Sequence, residues 1–491
     1  MNLYTRRKFL RTIAVSGTTA WAASRLGLLS DSGLTAGLMT SQGGMLDLSL
    51  RAQMDRLSLA GRPATLYSYN GSVPGPRLEI RSGDQVRIRF VNRLSEPTNL
   101  HFHGLHVSPS GNADNVFLEI PPGESQIYEF SLPRSHRGGT YWYHPHVHHL
   151  VARQVWAGLA GLLIVRGELD DIPEIRDADE QFLVLKEFGL DASGELLTPD
   201  PTPQIMQGRE GDLVLVNGES NPTFRIPKGG LLRLRFLNAS VARYYRIKLE
   251  DHPMYLIATD GGPIGEPFEL RELLLAPGER AEILVRGERS PGRYYLVNLP
   301  YRRFNMGMMG EGGMMCGMGM TGGRPSSSAE PIVLATLEYK EGERTLPLPT
   351  RLVPVEPWPE ATVQRQLVFS HSMMSMGGDA FTINGSSFDP ERIDAAVRVG
   401  TVEEWEIVNG GGMMMMDFDH PFHIHTNAFQ VVSENERSPR FRAWRDVVNV
   451  PMGESVRIRI PFRDFSGRTV YHCHILDHED LGMMAVVEMR A

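Results

Sequence analysis

The sequence predicts an all-β fold of three consecutive sandwich domains, and three observations carry that expectation. One segment recurs three times along the 491 residues with its turn residues nearly in step. Within each copy, apolar and polar residues alternate between Gly and Pro punctuation, as in half-buried strands. No long segment with a 3.6-residue apolar period follows residue 36.

The first copy opens at Asn70-Gly71 and runs through Gly83 into the alternating stretch 85–92. The second opens at Asn217-Gly218 and runs through Gly229 into 231–238, and the third opens at Asn384-Gly385 and runs through Gly400 into 405–409. Such runs read as short antiparallel strands of a sandwich. A second shared strand entry follows at Pro122-Gly123-Glu124, Pro277-Gly278-Glu279 and Met452-Gly453-Glu454. Beyond it the outer copies place His144 and His472 where the middle copy has Val297. Histidine chemistry is therefore expected in the first and third domains, with the second as a spacer. The domains are expected to span 46–170, 171–345 and 346–491, linked by the acidic run 168–180 and the proline-rich stretch 346–359.

Composition bounds the function. With 41% apolar and 22% charged residues the chain is neither disordered nor highly charged, and two cysteines exclude a multi-bridge disulfide scaffold. No apolar run of membrane-spanning length lies beyond the N-terminus, so no membrane span is expected in the mature chain. Residues 1–36 carry Thr5-Arg6-Arg7-Lys8-Phe9-Leu10, a twin-arginine pattern, followed by a mildly apolar stretch over 10–29. This reads as an export signal that delivers the protein to the periplasm or the exterior of the cell envelope. Its loss moves the net charge from −8 to about −12, which argues against nucleic acid or anionic membrane as a partner. The chain is expected to act as a monomer.

Five His-x-His arrangements occur, at His101/His103, His144/His146, His146/His148, His423/His425 and His472/His474. Random placement of 16 histidines gives roughly 0.5 such pairs. On a strand, residues i and i+2 share a face at ~3.3 Å per residue, a spacing that suits two neighbouring metals better than one. Four pairs supply eight imidazoles, enough for three metals with room for oxygen or water. A zinc site, usually mononuclear with four ligands, is the competing reading.

The C-terminal motif His472-Cys473-His474 sharpens the choice. Strand alternation turns Cys473 away from the faces of its neighbours, so its sulfur serves a different site. A thiolate with two imidazoles and a weak axial thioether makes a blue-copper electron-transfer site, and Cys473, His420, His478 and Met483 supply that set. One single-electron site joined by backbone to a multinuclear site implies oxidation of a donor coupled to reduction of dioxygen to water.

These residues carry a family resemblance. The segments His101-Phe102-His103-Gly104, Tyr143-His144-Pro145-His146, His420-Pro421-Phe422-His423-Ile424-His425 and His472 through Met483 resemble the four copper motifs of the multicopper oxidases, a family that includes laccases and bacterial cuprous oxidases. The resemblance implies three cupredoxin-like Greek-key β-sandwich domains and four copper ions. By position it assigns His420, Cys473, His478 and Met483 to a type 1 copper, and His101 and His423 to a type 2 copper. It assigns His103, His144 and His474 to one type 3 copper and His146, His425 and His472 to the other. It leaves His106, His136, His148, His149, His252 and His371 as ordinary surface or core residues. Asp114 and Glu479 resemble the family's acidic pair, which would relay the protons that dioxygen reduction consumes.

Methionine is the other outlier, with seven of 24 between Met306 and Met320, three between Met373 and Met376, and four in 413–416. The first window, in a loop spanning 305–323, is interleaved with glycine and has no helical period, so it makes a poor packed core. Soft thioethers select Cu(I), and Cys316 within the loop adds a possible thiolate. The sequence thus points to an oxidase of Cu(I), with phenols or aromatic amines as further donors. The alternatives are a general laccase without metal preference and a non-enzymatic copper-sequestering or structural cell-envelope protein.

Overall fold

The computed structural model describes residues 37–198, 206–306, 330–357, 360–371, 380–412 and 416–491. The signal-like residues 1–36, most of the glycine–methionine loop and the Met373–Met376 cluster lie outside the described residues, as do 413–415. The architecture is all-β, built as three successive pairs of sheets of five and four, six and five, and six and five strands. Each pair encloses its own apolar core. Leu50, Ile88, Phe90 and Phe102 centre the first, Leu232, Phe236, Ile283 and Leu284 the second, and Trp405, Ile407, Ile458 and Tyr471 the third. Among the described residues no helix is long and apolar enough to cross a membrane.

The repeated turn is the same object three times. Asn70-Gly71, Asn217-Gly218 and Asn384-Gly385 all hold positive φ at both positions, between 53° and 81°, the combination a two-residue type I′ hairpin turn requires. In each copy the Asn Oδ1 accepts a backbone N–H from the paired strand: Arg51, Val184 and Val368, at 2.9, 2.9 and 2.8 Å. The asparagine that ends each repeat, Asn92, Asn238 and Asn409, donates its side-chain amide to the carbonyl of Ile120, Leu275 and Val450 respectively.

Strand direction departs from the expected antiparallel pattern. The repeat strands Gln85–Asn92, Leu231–Asn238 and Thr401–Gly412 pair antiparallel on one side but parallel on the other, with Met45–Leu59, Asp179–Phe188 and Val363–His371. The chain crosses into the opposite sheet between the two parallel partners and returns in its original direction. Local alternation reports burial but carries no information about that crossover.

The acidic stretch after the first sandwich folds into two short helices, Glu168–Asp171 and Pro173–Arg176. It is more than a tether. Asp170 and Glu180 reach the buried guanidiniums of Arg233 and Arg235, which also grip Glu282 at 2.6 Å each. An apolar seam of Trp142, Leu162, Ile164, Val184 and Leu237 joins the first two sandwiches beside this network.

Candidate metal centres

Two strands and a short helix build the first centre. His420 opens strand His420–Ile424 and Cys473 closes strand Gly467–Cys473, with Phe422 in register opposite Cys473. His478 sits in helix Leu476–Asp480. The His420 Nδ1 lies 3.4 Å from Cys473 Sγ, His478 Nδ1 lies 3.8 Å from that sulfur, and the two nitrogens are 3.3 Å apart. All three residues are fully buried. Met483 closes the loop, accepting the Cys473 N–H at its carbonyl and donating its own N–H to His478. Its side chain is buried in the same apolar cluster as Cys473. The Phe381 ring stacks on His478 at 4.0 Å, and His478 Nε2–H donates to the carbonyl of Met206, 3.0 Å away. That hydrogen bond leaves Nδ1 unprotonated and aimed at the sulfur.

Eight imidazoles, all buried, form the second centre where the first and third sandwiches meet. The Nε2 atoms of His146 and His425 lie 3.3 and 3.1 Å from His472 Nε2. Ligand atoms of His101, His103 and His144 also fall within 4.8 Å of one another, as do those of His101, His423 and His425. The His474 ring stands 5.0 Å from His103 and 6.0 Å from His144. Two of these groupings hold both members of a His-x-His pair, so two-residue spacing does not by itself separate the pair. The rings of His423 and His425 tilt to 4.9 Å, closer than the backbone repeat suggests.

Hydrogen bonds decide which nitrogen each ring presents. His101 Nδ1 donates to Asp114, His144 Nδ1 to the Pro145 carbonyl, His423 Nδ1 to the Asp446 carbonyl, and His472 Nδ1 to the Cys473 carbonyl, at 2.8–3.0 Å. His103 does the reverse, donating from Nε2 to Asp446 Oδ1 at 3.0 Å. The opposite nitrogens, Nε2 of His101, His144 and His423 and Nδ1 of His103, are buried with no hydrogen-bond partner. Such orphans are costly unless a metal takes them.

Electrostatics agrees with the geometry. Burial, and after it the neighbouring imidazoles, holds four of these histidines in their neutral, metal-binding form, with His420 pushed down to about 3 and His101, His423 and His478 well below the usual range. Burial pushes the Cys473 thiol the other way, upward, so its thiolate needs a cation beside it. A thiol with two free nitrogens, next to a set of unpartnered imidazoles, fits copper on donor chemistry.

Both sequence-predicted acids are buried at the histidine cluster. Glu479 places its carboxylate 3.1 Å from His472 Nδ1 and 3.4 Å from His146 Nε2 without hydrogen-bond geometry. Asp114 accepts from His101 and from the Phe102 N–H, and burial raises its carboxyl to about 8. Of the histidines read as ordinary, His371 has its ring 6.1 Å from that of His420.

The middle sandwich is more than the expected spacer. Its Gly278, at φ +82°, lies so close to the His474 ring that a Cβ would stand 2.8 Å from it. Its Arg280 reaches Asp446, and Met206 supplies the acceptor for His478. These contacts come from a carbonyl, a glycine and a lone arginine, none of which has a metal-site signature in sequence. The one available signal was position, since Gly278 belongs to the repeated strand entry and Arg280 directly follows it.

Three family models, each described as multicopper oxidase, match residues 51–170, 185–317 and 359–491. The multicopper oxidase mco of Staphylococcus aureus is 30% identical over 456 residues, covering 91% of this chain and 89% of the relative. A solved structure described as "Multicopper oxidase from Campylobacter jejuni: a metallo-oxidase" matches with a TM-score of 0.79 at 30% identity, covering 93% of this chain and 94% of that one. The cell division protein FtsP of Edwardsiella tarda is 31% identical over 446 residues, covering 87% of each chain.

Proposed function

This chain belongs to the multicopper oxidase family, and from that premise we propose that it is a cuprous oxidase that takes single electrons from Cu(I), with phenols and aromatic amines as further donors. Copper-dependent oxidase activity, with dioxygen as acceptor, comes with the family and its three cupredoxin-like domains. The choice of donor rests on this chain's own methionines.

One observation supports that choice: the described ends of two methionine windows, Met306 and Met416, pair along the backbone a few residues before His420. Strand Phe304–Met306 pairs antiparallel with Met416–Phe418 in the register Met306 to Met416, so the first residue of one window faces the last residue of the other along the backbone. His371, two residues before Met373, pairs with Gly412, the residue before Met413. Asp419 and His420 follow this ribbon directly. A sequence so rich in thioethers on either side of this ribbon favours a soft monovalent cation over a hard one as donor.

Bound copper supplies one-electron chemistry at the Cys473 centre and four-electron dioxygen chemistry at the imidazole cluster. We assign one type 1 ion to His420, Cys473, His478 and Met483, one type 2 ion to His101 and His423, and two type 3 ions to His103, His144, His474 and to His146, His425, His472. Cys473 is peptide-bonded to His472 and His474, a covalent path between the two centres. Glu479, touching His146 and His472, delivers protons to the cluster, and Asp114 serves the side of His101. The twin-arginine pattern supports export to the periplasm or envelope exterior.

Removing residues 307–320 tests the donor choice. Cu(I) oxidation should fall while oxidation of a small phenol holds or rises; unchanged Cu(I) oxidation would leave a general laccase. The relative named a cell division protein keeps a second reading in play, a non-enzymatic copper-sequestering or structural cell-envelope protein, and oxygen uptake by the copper-loaded protein separates the two.

A further inference from the structure

We propose that the Arg280–Asp446 pair is a positioning device that selects which nitrogen His103 and His423 leave free for metal, so that the middle domain takes part in assembling the imidazole cluster. This role rests on the copper reading above and adds two residues to it. A neutral imidazole carries one ring proton, and the nitrogen that donates it to an acceptor leaves the other as the ligand atom. Asp446 accepts from both rings through different atoms. Its Oδ1 takes the Nε2–H of His103 at 3.0 Å and its backbone carbonyl takes the Nδ1–H of His423 at 2.8 Å. His103 is thereby left with Nδ1 and His423 with Nε2, and both are unpartnered. The two rings lie stacked at 3.9 Å and 11°, so one residue sets opposite tautomers in adjacent imidazoles.

Arg280 holds Asp446 in that pose. Its two terminal nitrogens each donate to one Asp446 carboxylate oxygen at 2.6 Å. The same guanidinium donates from Nε to the Thr140 carbonyl and from its terminal nitrogens to the Gly278 and Asp260 carbonyls, at 3.0, 3.1 and 3.0 Å. All five of its N–H donors are therefore used, across all three domains. A lysine has three donors and no planar fork, so it cannot reproduce the set. Asp446 itself lies within ligand range of His103 and His423, but both its carboxylate oxygens face the guanidinium, which marks it as a support rather than a ligand. The chain leaves room for the pair: Gly104, next to His103, has φ +86°, and a Cβ there would stand 2.4 Å from Arg280 and 2.5 Å from Asp446.

The test compares wild type with Arg280→Lys and Asp446→Asn. Arg243→Lys serves as a control, since Arg243 is a buried arginine of the middle domain paired with Glu187 and Glu210. Each protein is loaded with copper and dialysed against a graded chelator. The readouts are copper per chain, the blue absorption of the Cys473 centre, and the melting temperature of the metal-free form. We expect Arg280→Lys and Asp446→Asn to keep the blue band and to lose cluster copper at a roughly 10- to 100-fold lower chelator strength than wild type. Arg243→Lys should retain wild-type copper. The assignment is overturned if both variants hold copper as wild type does, or if they lose blue and cluster copper in parallel. It is also overturned if neither folds while Arg243→Lys does, because the pair would then be purely structural. A wild type without cluster copper would instead fail the copper reading itself.

Discussion

Substituting Gly278 by alanine should damage the imidazole cluster from a domain that contributes no ligand to it. The new Cβ would sit 2.8 Å from His474 Cε1 and Nε2 and 2.9 Å from Cδ2, so ring or strand has to give by roughly half an ångström. The position also holds φ +82°, where a side chain costs about 1–2 kcal/mol. Overpacking at a well-filled site adds about 1–3 kcal/mol, for a total near 2–5 kcal/mol of lost stability. A shift of that size also exceeds the ~0.2 Å tolerance of metal–ligand distances. Denaturant unfolding of the metal-free protein, paired with copper content after loading, measures both effects. A Gly278→Ala protein with wild-type unfolding and full copper content would refute the close packing on which this reasoning stands.

Other expectations follow from particular groups. Glu479→Gln should slow dioxygen reduction by roughly 10²–10⁴-fold while the blue band stays, as seen in turnover against absorption spectra. Cys473→Ser should abolish the blue band yet leave cluster copper in place, as read by metal analysis. Burial resists ionisation of Asp170, but Arg233 and Arg235 outweigh it and hold the carboxyl at about 2, below its ordinary 3.8. That stabilisation, about 2 kcal/mol, is present above pH ~4 and is lost as pH falls toward 2. Asp170→Asn should therefore be less stable than wild type near pH 6, with the gap closing by pH 2 in unfolding titrations.

What the sequence disclosed was local. The Asn-Gly turns announce themselves because few other dipeptides tolerate positive φ twice, and the His-x-His pairs because chance seldom produces them. The Cys473 centre was legible for a related reason, since strand alternation alone turns its sulfur away from His472 and His474. The supports were not legible. Arg280 and Asp446 are 166 residues apart, and the hydrogen bond between them follows no period. Met206 acts through a carbonyl, which every residue has, and Gly278 acts by lacking a side chain. The parallel pairing of the repeat strands escaped for the same reason: it is set by the path of the chain between sheets.

The most direct measurement is anomalous X-ray scattering at the copper edge from crystals of the copper-loaded protein. One peak is expected between His420, Cys473 and His478, and three among the eight imidazoles of the cluster. A single peak at Cys473 with none among the imidazoles, or metal at neither place, would contradict the paired-centre reading.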